Sequence, residues 1–484
     1  GTVKRRRRTW GTLLLLAAVC VLASPWAAAY EPVPALIDLR TTFSDGAYDP
    51  EILLQMAAKK GFRVVIFNDH DRMAMEYGLP PFPNIVKKKV ERNSINRSGA
   101  ERYLGTIADL RKRYPDRIVI PGGESTPFYY WTGSPLKGTL TANDHERRIL
   151  TVGLEKPEDY ETLPVLHNVL SGLRNRSAIP ALAAFLLCFL IAVSFLFKRG
   201  GWRICGLVLA VVSAGFFIDS LFARPSPFDA YHGGQGAAPY QLLIDDVNRK
   251  GGLTFWNYPE TRSGVGRLGP IHVKTLPYPH MLLETKNYTG FSALYGDTIT
   301  VTEPGNVWDA VLGEHCAGYR ERPAWGIATG DFHREGESGE RLGNFQTVLW
   351  LNGSSPEAVM EALKAGRMYA CRGKFPQIPR LDEFAVSAAE PDAAPPVISG
   401  EELRLRGRPR IRIAVSGDAG GAGQEVRVRL IRSGSIVGVF KGPLPLAIDH
   451  VDSAGTPGER IYYRMDMAGY GRIVSNPIFV RFAE

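Results

Sequence analysis

The sequence has no stretch in which basic and aromatic residues alternate, although it carries a net positive charge. Its formal charge is +9 over 484 residues, and 22% of the residues are charged. Nucleic-acid-binding surfaces usually combine clustered Lys and Arg with aromatic side chains. Part of the charge also lies in short basic runs beside apolar segments, where it sets the orientation of a membrane protein. We therefore expect no nucleic-acid partner.

Cysteine is also scarce, with five residues in the whole chain. Cys20 follows Ala-Ala-Val, a poor context that argues against lipid attachment. Cys188 and Cys205 fall in apolar runs at different depths, and we interpret them as apolar filler. Cys316 and Cys371 could form a disulfide, because both are expected outside the cytoplasm, but the sequence cannot establish that they meet.

The N-terminus has the three parts of a secretory signal. A basic run is followed by an apolar run from Leu13 to Ala23 and by three alanines at 27–29, which form a small-residue cleavage site. The apolar run is well short of the roughly 20 residues that a spanning helix needs. Residues 1–29 are therefore predicted to be a signal peptide, and the protein to be exported.

Long apolar runs are present in the middle of the chain, at 178–197 and 204–222. Each is about long enough to cross the hydrocarbon core of a bilayer, and only the basic turn KRGGWR separates them. A basic turn and a basic N-terminus should both stay cytoplasmic, so the flanking chain on both sides lies outside. We predict a transmembrane helical hairpin at 178–222 that tethers the protein to the lipid bilayer of the cell (inner) membrane, with the rest on the extracytoplasmic, periplasmic side.

The chain on either side of this hairpin alternates apolar segments with helical ones. The expected strands are 35–39, 63–67, 117–122, 149–154, 252–256, 291–295 and 325–330. A helix after the first strand is well marked, with Asp49 as N-cap, Pro50 at its first position and Gly61 as its stop. Alternation of this kind predicts an α/β fold with a parallel, barrel-like sheet over residues 31–177 and 225–375.

The composition changes after a second well-capped helix, which has Ser355 before Pro356 and Gly366 near its end. Residues 376–484 alternate apolar and polar residues and are broken by Gly, Pro and Ser. This pattern predicts a small antiparallel β-sandwich. Its arginines form either a solvated strand face or a basic surface that rests on anionic headgroups.

Polar residues gather at the ends of the predicted strands. They are Asp38, Arg40 and Asp45 after the first strand, Asp69, His70 and Asp71 after the second, Glu124 after the third, and Asp331 and His333 after the last. The carboxyl ends of barrel strands are where chemistry is normally built. Carboxylates and imidazoles are ligands for Zn²⁺, Mn²⁺ or Fe²⁺, so a divalent metal ion is the expected cofactor.

Four motifs in order resemble the polymerase and histidinol phosphatase (PHP) family of metal-dependent phosphoesterases. They are DLRTTFSDG, FNDHD, IPGGES with GGLTFWNYPE, and ATGDFH, spread over about residues 35–375. The resemblance implies a distorted seven-stranded (β/α) barrel with up to three metals. It also implies a metal-bound hydroxide that attacks a phosphate ester. A small phosphorylated or anionic substrate is the expected partner.

The resemblance also implies which residues would hold the metals. One trio is complete, with Asp45, His70 and His333 as ligands. A second metal place takes Asp38, Arg40, Glu124 and Asp331, in which a carboxylate and a guanidinium stand where the family has two histidines. A third shares Glu124 and has Asn257 in place of one histidine, while the other could be His145. His272 and His280 remain possible replacement ligands.

Arg40 is the residue that departs most from the family pattern. A guanidinium is always charged and only donates hydrogen bonds, so it cannot bind a cation but can neutralise carboxylates. Arg40 could therefore occupy the place of the first metal, or it could clamp a substrate phosphate.

Two functions stay open at this stage. The first is a membrane-tethered, extracytoplasmic phosphoesterase with a reduced metal site, in which Arg40 and His145 take part in catalysis. The second is an inactive relative whose pocket binds a ligand or a partner. The complete trio of Asp45, His70 and His333 favours the first, and Arg40 with Asn257 favours the second.

Overall fold

The structure is a computed structural model that describes residues 30–168, 179–222, 227–297, 299–336, 341–390, 395–418 and 420–483. The predicted signal peptide at 1–29 lies outside the described residues. The strands are β1 Glu31–Leu39, β2 Val64–Phe67, β3 Ala74–Gly78, β4 Lys87–Glu91, β5 Ile118–Ser125, β6 Tyr130–Thr132, β7 Thr141–Asn143, β8 Arg148–Val152, β9 Leu253–Asn257, β10 Val265–Leu268, β11 Ile271–Lys274, β12 Gly290–Leu294, β13 Trp325–Ala328, β14 Phe345–Leu351, β15 Met368–Arg372, β16 Arg380–Ala388, β17 Val397–Ile398, β18 Glu402–Leu405, β19 Pro409–Ser416, β20 Glu425–Arg432, β21 Ser435–Pro443, β22 Leu446–Val451, β23 Arg460–Gly469, β24 Gly471–Ser475 and β25 Ile478–Phe482.

The helices alternate with strands in the first two-thirds of the chain. They are α1 Pro50–Lys59, α2 Ile95–Ser98, α3 Ala100–Arg113, α4 Pro157–Glu161, α5 Ile179–Leu196, α6 Gly201–Leu221, α7 Ala238–Arg249, α8 Met281–Glu284, α9 Val307–Cys316 and α10 Pro356–Ala365. Two helix starts were predicted correctly. The Asp49 side chain accepts a hydrogen bond from the Glu51 N–H, and Ser355 Oγ accepts one from the Ala358 N–H.

All seven strands expected from the sequence are present, and they pair as neighbours in the order β13-β12-β9-β8-β5-β2-β1. The two ends of this path also meet, through a parallel bridge between Leu39 and Phe332. The Phe332 N–H donates to the Asp38 carbonyl at 3.1 Å, and the Arg40 N–H donates to the Phe332 carbonyl at 2.9 Å. The mixed α/β fold is confirmed, while the (β/α) barrel in its predicted form stays a prediction.

One strand contradicts the expected parallel sheet. β8 runs antiparallel to both neighbours, with Glu124 of β5 opposite Leu150 and Arg148 opposite Asn257 of β9. The first residue of β8 therefore lies at the edge where the other strands end. Periodicity alone could not reveal this, because an apolar segment has the same pattern in either direction.

The two mid-chain helices, α5 and α6, have mean hydropathies of 2.7 and 2.2 and are long enough to cross a membrane. They pack against each other through small residues. Ala192 is fully buried, and a Cβ on Gly206 would lie 2.9 Å from the Ala192 carbonyl oxygen. Close approach of this kind is typical of helices that meet in a bilayer.

The antiparallel strands expected beyond residue 376 are also present. One sheet has the order β17-β16-β19-β22, and β24, β23, β20 and β21 continue the large sheet from β15. A second apolar core, which includes Val428, Ile411 and Tyr463, lies in this part of the chain. The sandwich and the domain boundaries stay predictions, since β15 pairs directly with β24.

Cys316 and Cys371 are free cysteines, the former half-buried and the latter buried. They therefore do not form the disulfide that the sequence left open.

Candidate functional site

The buried carboxylate of Asp69, one of the strand-end residues, organises the loop after β1. Asp69 accepts hydrogen bonds from Thr41 N–H at 2.7 Å, Thr41 Oγ1 at 2.8 Å and Ser44 Oγ at 2.6 Å. Gly46 closes the turn, and a Cβ there would lie only 2.2 Å from the Arg40 carbonyl oxygen. Asp69 is thus committed to shaping the loop that presents Arg40 and Asp45.

Arg40 lies, fully buried, among three carboxylates, which come from β1, β5 and the loop after β13. Its Nη2 is 3.0 Å from Asp38 Oδ1, 2.8 Å from Glu124 Oε1 and 3.5 Å from Asp331 Oδ1. Its Nη1 donates a hydrogen bond to the Asn68 carbonyl. The side chain therefore lies among the three carboxylates with which the sequence analysis grouped it, while its replacement of a metal stays a prediction.

The backbone at two of these carboxylates is strained. Asp38 has φ 70° and Asp331 has φ 45°, both in the left-handed region that residues other than glycine seldom adopt. Strain of this kind costs of order 1–3 kcal/mol per residue and tends to gather at functional sites. The two carboxylates are thus held facing Arg40 by the sheet around them.

Asn257, at the end of β9, links the same carboxylates. Its Nδ2 donates to Asp38 Oδ2 at 3.1 Å and to Glu124 Oε1 at 2.8 Å. Its Oδ1 accepts from Ser292 Oγ at 2.5 Å, and Thr329 Oγ1 donates to Ser292 Oγ at 3.0 Å. The amide that stands in place of a family histidine is therefore fixed with its donor group toward the acids.

Arg148 is the residue that sequence reasoning missed. Its Nη1 lies 3.3 Å from Glu124 Oε2, so Glu124 has a guanidinium on each side. The strand-end rule considers only residues that follow a strand. Arg148 is instead the first residue of the antiparallel strand β8. A charged residue directly before an apolar strand was the available signal.

The charges of the cluster set the pKa values of its carboxyl groups. Burial raises the pKa of Asp38 to about 7, because the opposing charge of Arg40 does not fully compensate and Glu124 adds repulsion. Burial also acts to raise the pKa of Glu124, but the charges of Arg148, Arg40 and His70 lower it to about 2. Near neutral pH the cluster therefore holds an ionised Glu124 beside an Asp38 that is partly protonated.

The trio of Asp45, His70 and His333 lies beside this cluster. Asp45 Oδ2 is 3.4 Å from His70 Nε2 and 3.6 Å from His333 Nε2, and His70 Nδ1 is 3.3 Å from Glu124 Oε2. Burial acts to raise the pKa of Asp45, but hydrogen bonding with His333 and His70 outweighs it and holds the pKa well below its usual range. The three predicted ligands are thus brought together.

The two groups differ in the chemistry of their side chains. Arg40, which offers only donors, lies among Asp38, Glu124 and Asp331 and cannot itself bind a cation. Among the described residues, no group of three His, Cys, Asp or Glu side chains is arranged to hold a metal ion. Asp45, His70 and His333 nevertheless lie close in space, so a metal held by them stays a prediction.

His145, the other predicted catalytic residue, lines the same cavity as His70 and Arg148. Its Nδ1 is 3.2 Å from Thr275 Oγ1, and its Nε2 is 3.5 Å from Glu146 Oε1. Neither contact reaches Glu124, so the catalytic role of His145 stays a prediction.

Two cavities meet at Arg148 and Glu146, which line both. One, of about 1060 Å³, extends toward the C-terminal part and is lined by Asp331, Arg372, Lys374 and Arg472 among others. The other, of about 870 Å³, is mainly apolar. In the first, burial lowers the pKa of Arg372, and the neighbouring charge of Arg472 lowers it further. Two arginines facing each other in this way favour an anionic ligand.

No protein-family model matches the chain, and no curated protein matches it in sequence. Several solved structures do match. One is a two-domain protein from Bacteroides vulgatus that contains a predicted PHP-like metal-dependent phosphoesterase, at 10% identity and a TM-score of 0.35 over 90% of this chain and 91% of that one. Another is a predicted metal-dependent phosphoesterase from Bifidobacterium adolescentis, at 15% identity and a TM-score of 0.31 over 69% and 97%.

A third match is the sensor domain of an anti-sigma factor from Pseudobacteroides cellulosolvens, at 11% identity and a TM-score of 0.15 over 22% of this chain and 95% of that one. The expectation of a divergent PHP-like protein therefore rests on the four motifs of the sequence.

Proposed function

We propose that this protein is a membrane-tethered, PHP-like binding protein for an anionic, phosphate-bearing ligand, and that it does not turn the ligand over with a metal centre. The observation that carries the proposal is the position of Arg40, whose guanidinium contacts three carboxylates at 2.8–3.5 Å. A fixed positive charge replaces the cation that would activate water in a phosphoesterase. The pocket keeps its shape and charge while the catalytic group is gone.

The ligand's anionic group would lie where the two cavities meet. Arg148 is partly exposed there, with a side-chain accessibility of 21%, and Arg372 and Arg472 face the larger cavity. Guanidinium groups suit phosphate because their planar donors match two of its oxygens. Arg40 itself is fully buried, so its part is to hold the carboxylates and not to contact the ligand.

The hairpin of α5 and α6 would tether this pocket to a bilayer. It is inserted between β8 and β9, which pair with each other, and this supports placing both flanks on one side of the membrane. The basic turn at 198–203 favours the cytoplasm, which puts the pocket on the extracytoplasmic side of the cell membrane. A reporter that works only outside the cytoplasm should be active when fused after residue 484 and inactive when placed at Gly200.

A second candidate is the metal-dependent phosphoesterase that the family resemblance implies. The approach of His70 and His333 to the same oxygen of Asp45 favours it. Carboxylate and imidazole groups are the donors that Zn²⁺, Mn²⁺ and Fe²⁺ accept, so one ion held by this trio is the form it would take.

One set of measurements separates the two candidates. The purified full chain is analysed for bound metal and assayed on phosphomonoesters and phosphodiesters, and binding of phenyl phosphate is measured in parallel. We expect no stoichiometric metal, no turnover, and binding that Arg148→Gln and Arg372→Gln weaken while the exposed control Arg427→Gln does not. One metal per chain with turnover that His333→Ala abolishes would replace the binding proposal with the enzyme.

A further inference from the structure

The mainly apolar cavity of about 870 Å³ connects the candidate site with the surface beside the helical hairpin. His70, Asp45 and Arg148 line its inner end. Leu79, Val86 and Leu268 line its outer end, where their exposed fractions are 45%, 48% and 42%. A cavity of this size is within the range of small-molecule sites. A free phosphate would contact only the polar inner end and would leave the long apolar part empty.

One wall of the cavity is the two-stranded ribbon of β3 and β4. Met75 lies opposite Val90 and Tyr77 opposite Lys88 in the register of the pair. Alternate residues of a strand share a face, and these four side chains all line the cavity. Apolar side chains thus follow the ribbon outward from the site, with the ammonium group of Lys88 among them.

The facing wall comes from the small sheet β10-β11-β7-β6. It contributes Trp131, Leu140 and Ile271 to the cavity. Tyr77 packs edge-to-face on Trp131, with ring centroids 5.3 Å apart, so the two walls are in direct contact at one side. Leu136, in the loop between cavity-lining residues of this wall, is 97% exposed.

The tip of the ribbon is fastened to the end of α6. The Asp219 carboxylate accepts hydrogen bonds from Asn84 N–H at 2.8 Å, Asn84 Nδ2 at 2.9 Å and Ile85 N–H at 3.2 Å. The Phe82 ring packs on Phe216 with centroids 5.1 Å apart, and a Cβ on Gly215 would lie 2.7 Å from Phe82 Cζ. The outer end of the cavity therefore lies at the level where α6 leaves the apolar layer.

The inner end of the cavity carries the charge. Arg72 and Arg148 are both half-buried there, beside His70 and His145. A ligand that fits this cavity has a polar end at Arg72 and Arg148 and an apolar part along the β3–β4 ribbon. That is the shape of an amphiphile and not of a soluble sugar phosphate or nucleotide.

We infer that the ligand of this site is a membrane lipid with a phosphate headgroup, which enters from the outer leaflet between the β3–β4 ribbon and the small sheet. The inference deepens the proposed function and rests on it for the headgroup. The phosphate lies against Arg148 and Arg72, and the acyl chain lies along Met75, Tyr77 and Val90. The contact of the ribbon tip with α6 holds the cavity mouth at the bilayer surface.

The test uses the full chain in phosphatidylcholine nanodiscs that contain lysophosphatidic acid with a photoactivatable acyl chain. After illumination, the labelled peptides are mapped by mass spectrometry. We expect label on the peptides of β3 and β4, and unlabelled lysophosphatidic acid should compete at least about tenfold better than inorganic phosphate. Each buried methylene favours binding by a factor of about four, so a bound acyl chain must give a difference of this size.

Two variants serve as matched partners. Val90→Trp fills the cavity from the ribbon face and should remove the label from β3 and β4. Lys89→Trp places the same side chain on the opposite face of the same strand and should leave the label in place.

The possible failures point to different parts of the argument. Equal competition by inorganic phosphate would overturn the lipid inference and leave the anion-binding proposal standing. Label confined to α5 and α6 would also overturn the inference, because it reports only bulk lipid around the hairpin. If Arg148→Gln does not reduce the label on β3 and β4, a lipid binds there but Arg148 does not recognise its phosphate. That result would support the lipid inference and refute the proposed function.

Discussion

Two fully buried arginines, in different parts of the molecule, are paired with carboxylates in different ways. Arg464 of β23 pairs with one acid, Asp309 of α9. Its Nε donates to Asp309 Oδ1 at 2.7 Å and its Nη2 donates to Asp309 Oδ2 at 2.6 Å. Tyr462 donates to the same carboxylate at 2.7 Å, and the Arg464 guanidinium lies 4.9 Å from the centre of the Trp308 ring. Arg40 instead shares a single nitrogen among three acids.

The hydrogen bonds of the two arginines differ as well. Among the described residues, Arg40 Nη2, Asp38 Oδ1 and Asp331 Oδ1 make no hydrogen bond of good geometry, although they lie within ion-pair distance. The Arg464 pair is directed and balanced in charge, as expected of a contact that joins two structural elements. In the Arg40 cluster, three acids surround one guanidinium nitrogen, and Arg148 is a second cation beside Glu124.

The largest expected effect is on stability when either arginine is removed. Arg40→Ala and Arg464→Ala each leave buried carboxylate uncompensated, which typically costs about 3–5 kcal/mol. We expect the larger loss of stability for Arg40→Ala, because it removes the guanidinium that three acids share. Denaturant unfolding of the full chain in detergent measures both. A loss below about 1 kcal/mol for Arg40→Ala would show that its cluster is not held by charge.

The second expected effect is specific to the Arg40 cluster. Arg40→His restores an imidazole to the first metal place beside Asp38, Glu124 and Asp331, so Mn²⁺ or Zn²⁺ should bind. At a concentration of 100 times the dissociation constant, an ion stabilises the folded state by about 2.7 kcal/mol. The melting temperature of Arg40→His should therefore rise on metal addition more than that of the parent.

Arg464→His is the control for this measurement, since its single partner acid cannot complete a metal site. An equal rise in both variants would mean that the ion binds elsewhere.

The third expected effect is a difference in the response to pH. The pKa of Asp38 is raised to about 7, above its value of about 3.9 in the unfolded chain, so folding favours the protonated acid. This contribution is complete at low pH and is lost as pH rises from about 4 to about 7, at up to about 1.4 kcal/mol per pH unit. Asp38→Asn should remove that slope and cost little at pH 8, whereas Asp309→Asn removes the carboxylate that pairs with Arg464 and should destabilise strongly. Equal losses for the two variants at pH 8 would erase the distinction between the clusters.

The smallest expected effect concerns an exposed pair of the C-terminal part. Arg410 forms a two-pronged contact with Asp449 at the surface of β19 and β22. Exposed pairs contribute little because water screens them and side-chain entropy opposes them. Arg410→Gln should leave the unfolding midpoint unchanged within error. A clear shift would show that the geometry of an arginine fork, and not its burial, governs stability in this protein.

Much of the fold could be predicted from the sequence, because hydrophobic periodicity marks strands wherever both faces are buried. The seven strand segments, the Asp49 and Ser355 caps and the apolar hairpin all lie where expected. The direction of β8 could not be predicted, since an apolar run has no polarity of its own. Because the direction of β8 was unknown, Arg148 at its start was not recognised as a site residue.

The candidate site was predicted in its members but not in its chemistry. The strand-end rule brought Asp38, Arg40, Glu124 and Asp331 together, and Arg40 occupies the position that its charge suggested. Whether Asp45, His70 and His333 converge on an ion depends on distances of a few tenths of an ångström, which spacing along a chain does not determine. The apolar cavity was not foreseen, because its two walls come from short strands far apart in sequence.

The insertion of α5 and α6 between β8 and β9 has a consequence for how the protein is made. If the hairpin spans a membrane as proposed, β9 can join the sheet only after both helices have crossed it. β1 pairs with β14, more than 300 residues later in sequence. Pairings between such distant segments form slowly. Until β9 pairs with it, one edge of β8 is open to other strands, and exposed edges of this kind are prone to aggregation. Delayed insertion of the hairpin should therefore appear first as loss of soluble folding outside the membrane, before any defect in the helices themselves.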